Sequence, residues 1–354
     1  MPGKSYCCTA AGIALIGVSL TAPIAITSQP PALSTLSIPG IALTAQDIVI
    51  DIIRHAEDLA PANARVPFSP EFPGAPISDL GKQQAIDTAN QVYAQVGGPG
   101  HVAGLFSGPD LDAQDTAAPF ATLQDMDPQI LNGLVEVDGG IFANQPALGL
   151  GGLYYDAAVV LWMMGMVNAF QIPGADEYNG VVVNDNYTES IQAMYNAAVA
   201  NPVIGDDGNI TDVAYSSEAS SMIWVMLNVK NPDPMALIDT VINSLGNGGT
   251  PALIPNAGLV QIEGNPEDGW TLLNWAGHDV AANPGALGDL FLLWRDLVLP
   301  PQVALDHVLD ALMSGDSAAL TDAFHDGVAS INAALDAVPD TVNNLFADLT
   351  AGTW

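Results

Sequence analysis

One short stretch of this sequence combines the pattern of a buried strand with a dense group of charges. Residues 47–53 read Asp-Ile-Val-Ile-Asp-Ile-Ile, and the next five residues read Arg-His-Ala-Glu-Asp. A run this rich in Ile and Val predicts a β-strand that is covered on both faces. Open α/β sheets bind their ligands at the carboxyl ends of such strands, so residues 54–58 are the first candidates for a functional site.

The overall charge of the chain limits which ligands it can attract. The 354 residues include six Lys plus Arg and 39 Asp plus Glu, which gives a formal net charge of −33. This charge repels nucleic acid and anionic lipid, so the sequence predicts no nucleic-acid partner. It also repels anionic substrates, and any anion site must be a local exception. The chain has only three arginines, Arg54, Arg65 and Arg295, so an arginine at the end of a buried strand is informative.

The first thirty residues have the pattern of an export segment. Lys4 precedes an uncharged apolar run at residues 9–27, which Pro23 interrupts. A basic residue followed by such a run predicts a secretory signal peptide or an uncleaved anchor in residues 1–30. Residues 31–45 are then predicted to be a linker. The protein is predicted to be secreted or held in the cell envelope, with no stable membrane span in its mature domain.

The cysteines and histidines give no indication of a disulfide framework, a metal site or another cofactor. Cys7 and Cys8 are adjacent, and the chain has no other cysteine with which they could pair. His101, His307 and His325 are scattered along the sequence without the spacing of a metal-binding motif.

Alternating strand and helix patterns follow the opening strand. Strands are predicted at 101–107, 131–137 and 210–216, and helices at 79–96, 110–123, 186–200, 220–227 and 235–245. This order predicts an α/β fold, a three-layer αβα domain with a mostly parallel sheet and right-handed crossovers. Residues 259–263 and 270–275 alternate in hydropathy and predict an antiparallel pair at the sheet edge.

The patterns divide the chain into an α/β domain and a helical tail. The domain is predicted over residues 46–283. Within it, residues 153–167 predict a buried helix or helical lid rather than a membrane span, because Asp156 and a glycine interrupt the apolar run. A helical C-terminal tail is predicted over residues 284–354. Its four helical patterns, separated by Pro or Gly-Asp breaks, lie at 287–298, 303–313, 318–334 and 342–349.

Four motifs occur in the order in which one enzyme superfamily has them. Residues 54–57 (Arg-His-Ala-Glu) resemble the Arg-His-Gly-Glu motif of the histidine phosphatase (phosphoglycerate mutase-like) superfamily, with Ala in place of Gly. Residues 77–85 are similar to its Leu-Thr-x-x-Gly-x-x-Gln-Ala helix start. Ser107 and residues 113–117 (Ala-x-x-Thr-Ala) resemble its second strand and helix, and residues 134–139 (Leu-x-Glu-x-x-Gly) resemble the segment that carries its acid. The resemblance covers about residues 46–140, extends more loosely to 230, and implies the histidine phosphatase fold.

The resemblance implies roles for three residues. His55 would be the nucleophile that accepts a phosphoryl group, and Arg54 would bind the phosphate as a charged fork. Glu136 would protonate the leaving oxygen. The ligand would be a small phosphorylated molecule.

Two positions depart from the family pattern. The superfamily needs a second arginine at the start of the second helix, where this chain has Asp112. It also needs a second histidine after a late strand, where this chain has Ser217. A carboxylate in contact with phosphate repels it by at least about 1 kcal/mol in water, and by more in a desolvated site. The sequence therefore predicts a degenerate member, an exported pseudophosphatase with impaired or lost activity and a binding role.

An active phosphomonoesterase that works through a phosphohistidine at His55 is the alternative. Residues 277–279 (Gly-His-Asp) resemble the His-Asp motif of the acid-phosphatase branch, so His278 could supply the second histidine. Against this, residues 276 and 277 have the pattern of a hairpin turn after the strand at 270–275. Structural roles also stay open at this stage. Arg54 with His55 could be a strand-end pair, Glu136 a surface acid, and Asp112 an acid favoured by a helix dipole.

Overall fold

A computed structural model describes residues 45–59, 66, 74–146, 148–246 and 252–353. The predicted signal peptide, all but the last residue of the predicted linker, and Cys7, Cys8 and Arg65 lie outside the described residues.

In the described part of the chain, seven strands form one mixed sheet in the order β3-β2-β4-β1-β5-β6-β7. They are β1 (Ile48–Arg54), β2 (Gly104–Ser107), β3 (Gln129–Ile130), β4 (Thr211–Ser216), β5 (Leu259–Asn265), β6 (Gly269–Trp275) and β7 (His278–Asp279). Strands β1 to β4 are parallel to one another, and β5, β6 and β7 extend the sheet antiparallel beyond β1. The opening strand is therefore central, which explains its Ile and Val content.

Helices cover both faces of this sheet. They are α1 (Asp79–Val96), α2 (Leu111–Gln124), α3 (Leu150–Met163), α4 (Gly180–Ala200), α5 (Glu218–Asn228), α6 (Pro234–Gly246), α7 (Gly285–Ser314) and α8 (Ser317–Ala351). Ile53 of β1 packs in one cluster with α1 and α2. Ile50 and Ile52 pack in the opposite cluster with α3, α4 and α5. Since alternate strand residues point to opposite faces, β1 connects the two cores, and the predicted three-layer α/β fold is confirmed.

The strand predicted at 131–137 is wrong. Strand β3 already ends at Ile130, and residues Asn132–Leu134 form a 3-10 turn. The turn lies directly on α4, because a Cβ added to Gly133 would be 1.9 Å from the carbonyl oxygen of Asn186. Only glycine allows this approach, which takes the chain away from the sheet before it reaches Glu136.

The four helices predicted in the tail are two helices in the structure. Pro300 and Pro301 lie inside α7, and Pro339 lies inside α8. Each internal proline removes a backbone hydrogen bond at a cost of about 3 kcal/mol, which is why the sequence pattern indicates breaks. Packing between the two helices opposes this cost. At Gly327 of α8 they are so close that an added Cβ would lie 2.6 Å from Ala304 Cβ.

The tail contacts the α/β domain through polar groups. Arg295 of α7 is buried and donates to the carbonyl oxygens of Met226 and Val229, near the carboxyl end of α5. His307 Nε2 lies 2.7 Å from Asp185 Oδ2 on α4. Among the described residues, no helix is both long enough and apolar enough to span a bilayer.

Candidate functional site

The charged residues at the carboxyl end of β1 lie beside the start of α5. Arg54 Nη1 lies 2.6 Å from Glu218 Oε2, and it also donates to the carbonyl oxygen of Ile254. The second oxygen of Glu218 accepts the backbone N–H groups of Leu253 and Ile254. The side chains of the pair are only 17% and 24% exposed, so solvent screens the ion pair weakly. Part of the Arg54 guanidinium is therefore already bound to the Glu218 carboxylate.

His55 is oriented by the backbone on both sides of it. Its backbone N–H donates to the carbonyl oxygen of Ser216, and this hydrogen bond joins the carboxyl ends of β1 and β4. Its ring Nδ1 lies 2.9 Å from the Ala56 carbonyl oxygen, so this nitrogen carries the proton and Nε2 keeps its lone pair. Burial, followed by the charge of Arg54, lowers the pKa of His55. The imidazole is therefore neutral at neutral pH.

The second helix is tied to this strand end through Thr116. The buried N–H of Ala56 donates to Thr116 Oγ1, and the Thr116 hydroxyl donates to the carbonyl oxygen of Asp112. These two hydrogen bonds place Asp112, at the first turn of α2, against His55. The distance from Asp112 Oδ2 to His55 Nδ1 is 3.6 Å.

The helix-start motif has a structural explanation in the first turns of α1. Ser78 Oγ accepts the N–H of Gly81 and donates to Glu57 Oε2. Gln84 Oε1 accepts the N–H of Glu57. Residues 77–85 thus hold the segment that follows His55, which accounts for the spacing of the motif.

We expect Gly81→Ala to destabilise the protein through this contact. A Cβ at position 81 would lie 2.1 Å from the Glu57 carbonyl oxygen, a backbone atom that cannot turn away. Overpacking of this kind costs about 1–3 kcal/mol, to be measured by urea denaturation. Gly98→Ala is the matched control. Its Cβ would come 3.3 Å from Tyr93 Oη, the far end of a side chain, and a change of no more than about 1 kcal/mol is expected. Equal effects of the two substitutions would contradict the assignment.

Three carboxyl groups, those of Asp110, Asp112 and Glu136, lie around Arg54 and His55 on the side of α2. Together these five residues are called the pocket at the end of β1. Asp110 Oδ2 accepts the N–H of Glu136, and Glu136 Oε1 accepts the N–H of Val137. Burial is the main cause that raises their pKa values, to about 6 for Asp110, about 7 for Asp112 and about 8 for Glu136. At neutral pH Glu136 is therefore mostly protonated, the state that a general acid requires.

The structure brings together His55, Arg54, Asp112 and Glu136, but it does not bring His278 to them. His278 is exposed in β7, three strands away from β1, which corresponds to roughly 14 Å. Ala276 and Gly277 have φ values of 50° and 92°, so the predicted hairpin turn is confirmed. The expectation that His278 could replace the missing histidine is not supported by its position.

Ser217 lies at the carboxyl end of β4, next to the residue that binds the His55 N–H. It is 1% exposed, and its hydroxyl has no partner among the described residues. It precedes α5, which begins at Glu218. A hydroxyl here can donate a hydrogen bond but supplies no charge.

Sequence reasoning missed three acids in or beside the pocket. Glu218 binds Arg54 across 164 positions in sequence, and Asp110 binds the backbone of residue 136. Asp58 was visible in the opening stretch, but nothing in the sequence assigned it a role. Its backbone pairs with Ile77, and His55, Asp58 and Asp112 each offer one ligand atom within 4.8 Å of the others. This mixed cluster departs from the expectation of no metal site.

A cavity lies away from the strand ends. It has a volume of about 710 Å³ and is lined by apolar side chains of α3, α5, α6, α7 and the segment before β5. Because no ionisable side chain lines it, it offers no acid, base or nucleophile.

Comparison with known proteins gives one curated relative and a group of solved structures. No protein-family model matches the sequence. A PE-PGRS family protein of Mycobacterium tuberculosis, PE_PGRS11, is 38% identical over 307 residues, which is 86% of this chain and 49% of that protein. The chain thus spans about half the length of the curated relative that it matches.

Similar solved structures have low sequence identity. The mycobacterial glucosyl-3-phosphoglycerate phosphatase is 16% identical, with a TM-score of 0.47 over 66% of this chain and all of that one. A protein described as mycobacterial hydrolase 1 is 17% identical, with a TM-score of 0.46 over 67% of this chain and all of that one. A phosphoserine phosphatase mutant of Entamoeba histolytica is 16% identical, with a TM-score of 0.41 over 64% of this chain and 96% of that one.

Proposed function

We propose that this chain is an exported histidine phosphatase-like protein whose phosphoryl transfer is impaired and whose pocket serves a binding role. One observation carries the proposal: a carboxyl group lies against each of the two residues, Arg54 and His55, that a phosphate would contact. Glu218 neutralises Arg54, and Asp112 lies 3.6 Å from the His55 ring. Export is supported by the pattern of residues 1–30.

The electrostatics of phosphoryl transfer explain why these carboxylates matter. The transferring group spreads negative charge over its oxygens, and catalysis depends on fixed positive groups around it. In this pocket an incoming phosphate dianion would compete with Glu218 for Arg54. It would also face Asp112 where an arginine is expected. Both effects lower affinity for the ground state and for the transition state.

An active phosphomonoesterase is the second candidate, and the state of His55 and Glu136 favours it. The neutral imidazole keeps the Nε2 lone pair that attack on phosphorus requires. The raised pKa of Glu136, about 8, keeps a proton available for the leaving oxygen. The ligand would be a small phosphorylated molecule.

Hydrolysis of a generic aryl phosphate separates these two candidates. Purified protein and a His55→Ala variant are compared at pH 6 and pH 7.5, in the presence of EDTA. We expect equal background rates from both proteins. Turnover by the wild-type protein that His55→Ala abolishes would overturn the proposal and establish the phosphomonoesterase. A Ser78→Ala variant in the same assay reports whether loss of packing near the site alone changes the rate.

A further inference from the structure

We propose that the pocket at the end of β1 binds a divalent transition-metal cation through His55, Asp58 and Asp112. The three residues come from one strand end and one helix start, and each offers a ligand atom within 4.8 Å of the other two. Among the described residues, no other group of three His, Cys, Asp or Glu side chains has this geometry.

The hydrogen bonds of His55 prepare it as a ligand. A metal-binding histidine donates one ring N–H to a backbone carbonyl or a carboxylate, which fixes the tautomer and the orientation of the ring. His55 Nδ1, 2.9 Å from the carbonyl oxygen of Ala56, has this arrangement. The lone pair of Nε2 is then available to a cation, while Asp112 Oδ2 lies 3.6 Å from the other ring nitrogen, Nδ1.

A positive charge would stabilise the buried carboxyl group of Asp112. Asp112 is 7% exposed, and among the described residues no Lys or Arg lies within ion-pair distance of its carboxyl group. The guanidinium of Arg54 is already paired with Glu218. A buried carboxylate without a paired cation is costly, and a bound divalent ion removes that cost. Asp110, whose Oδ2 accepts the N–H of Glu136, adds a further carboxyl group beside the same residues.

The donor set points to a class of metal. One imidazole nitrogen with two carboxylate oxygens suits Zn²⁺ or another divalent first-row ion, whereas Mg²⁺ and Ca²⁺ prefer oxygen donors alone. Three protein ligands leave open coordination positions for water or a further ligand. A cation bound to Asp112 would also place positive charge where the family pattern has its second arginine. The inference does not depend on whether the protein hydrolyses phosphate.

Calorimetric titration of chelator-treated protein with Zn²⁺ at pH 7 tests the proposal. We expect one Zn²⁺ per chain, and at least about a tenfold loss of affinity in each of Asp112→Asn and His55→Ala, since even indirect ligand contacts are worth about 10–100-fold. His101→Ala is the matched control. His101 Nδ1 lies 3.3 Å from Asp206 Oδ1, but this pair belongs to no three-residue ligand group among the described residues. Its substitution should leave Zn²⁺ binding unchanged.

Two outcomes overturn the metal site. One is that the wild-type protein shows no saturable Zn²⁺ binding at Zn²⁺ concentrations up to about 1 mM, the range of weak surface sites. The other is equal binding by all the variants, which would assign the ion to the acidic surface. If a variant fails to fold, the ring nitrogen NMR signals of the five wild-type histidines give the answer. Zn²⁺ should shift one histidine alone, and a shift of none, or of all five, contradicts the site. These readouts involve no turnover, so they are independent of the hydrolysis assay.

Discussion

The double variant Asp112→Arg with Ser217→His is expected to hydrolyse aryl phosphate at least about 100-fold faster than the wild-type protein. Asp112 lies against His55, so an arginine here replaces a repulsive charge with a positive clamp at the same place. Ser217 follows the strand residue that binds the His55 N–H, so a histidine here supplies a second polar group at the strand ends. A single well-placed donor to a developing negative charge contributes about 10²–10³-fold, so two restored groups should be readily detected.

The controls for this variant separate a repaired site from a chance hydrolase. Adding His55→Ala to the double variant should return the rate to background, because the proposed phosphoryl acceptor is lost. Asp112→Ala alone removes the repulsion without adding a clamp, and a smaller gain is expected. Thermal unfolding reports whether a histidine fits at position 217, which is 1% exposed in the wild-type protein. A folded double variant with no gain would show that the two departures are not what limits the site.

Local sequence chemistry was sufficient to predict the elements that hold the site. Strand β1 follows from its Ile and Val content, because a central strand must be apolar on both faces. The start of α1 follows from Ser78, which accepts the N–H of Gly81 as the N-cap of the helix. The pair β5 and β6 follows from alternation, and a register shift between Gln261 and Ile262 is its one irregularity.

The parts that the sequence did not predict depend on distant partners. Nothing near Arg54 in sequence indicates that Glu218 will pair with it, because the two meet only when β1 and β4 lie side by side. The turn at 132–134 depends on contact with α4. The prolines inside α7 and α8 read as helix ends locally, and only the packing of one long helix on the other overrides that preference.

The same limit applies to the pocket acids. Asp112 was recognised because a motif placed it, whereas Asp58 and Asp110 belong to no motif and gain their meaning from the side chains around them. Acidic residues are common in this chain, so their presence alone carries little information. Only the three-dimensional structure distinguishes the few acidic residues that meet in the pocket from the many that lie on the surface.

The substitution Asp212→Asn is expected to make the protein much more stable above pH 7, with little effect at pH 4. Asp212 lies in β4, is fully buried, and neither of its carboxylate oxygens has a hydrogen-bond partner among the described residues. Burial raises its pKa from 3.8 to about 8. The folded protein therefore holds a proton that the unfolded chain releases between pH 4 and pH 8. The stability that this proton contributes is complete below pH 4 and is lost as pH rises to 8.

The magnitude follows from this sign. Each pH unit in that window costs about 1.4 kcal/mol, so the carboxylate destabilises the fold by on the order of 5 kcal/mol at pH 8. Asn has nearly the same shape and does not ionise. In the variant, the free energy of unfolding should therefore fall less steeply with pH, by about 1.4 kcal/mol per pH unit between pH 4 and pH 8. Urea denaturation at pH 4, 6 and 8 measures the free energy of unfolding of each protein.

The control is Asp127→Asn, a substitution of an exposed residue, which should give the same dependence of stability on pH as the wild-type protein. A buried amide and a buried protonated carboxyl without partners have similar desolvation costs, so the change in the slope of stability against pH is decisive. Parallel curves for wild type and Asp212→Asn would show that Asp212 is already ionised in the fold.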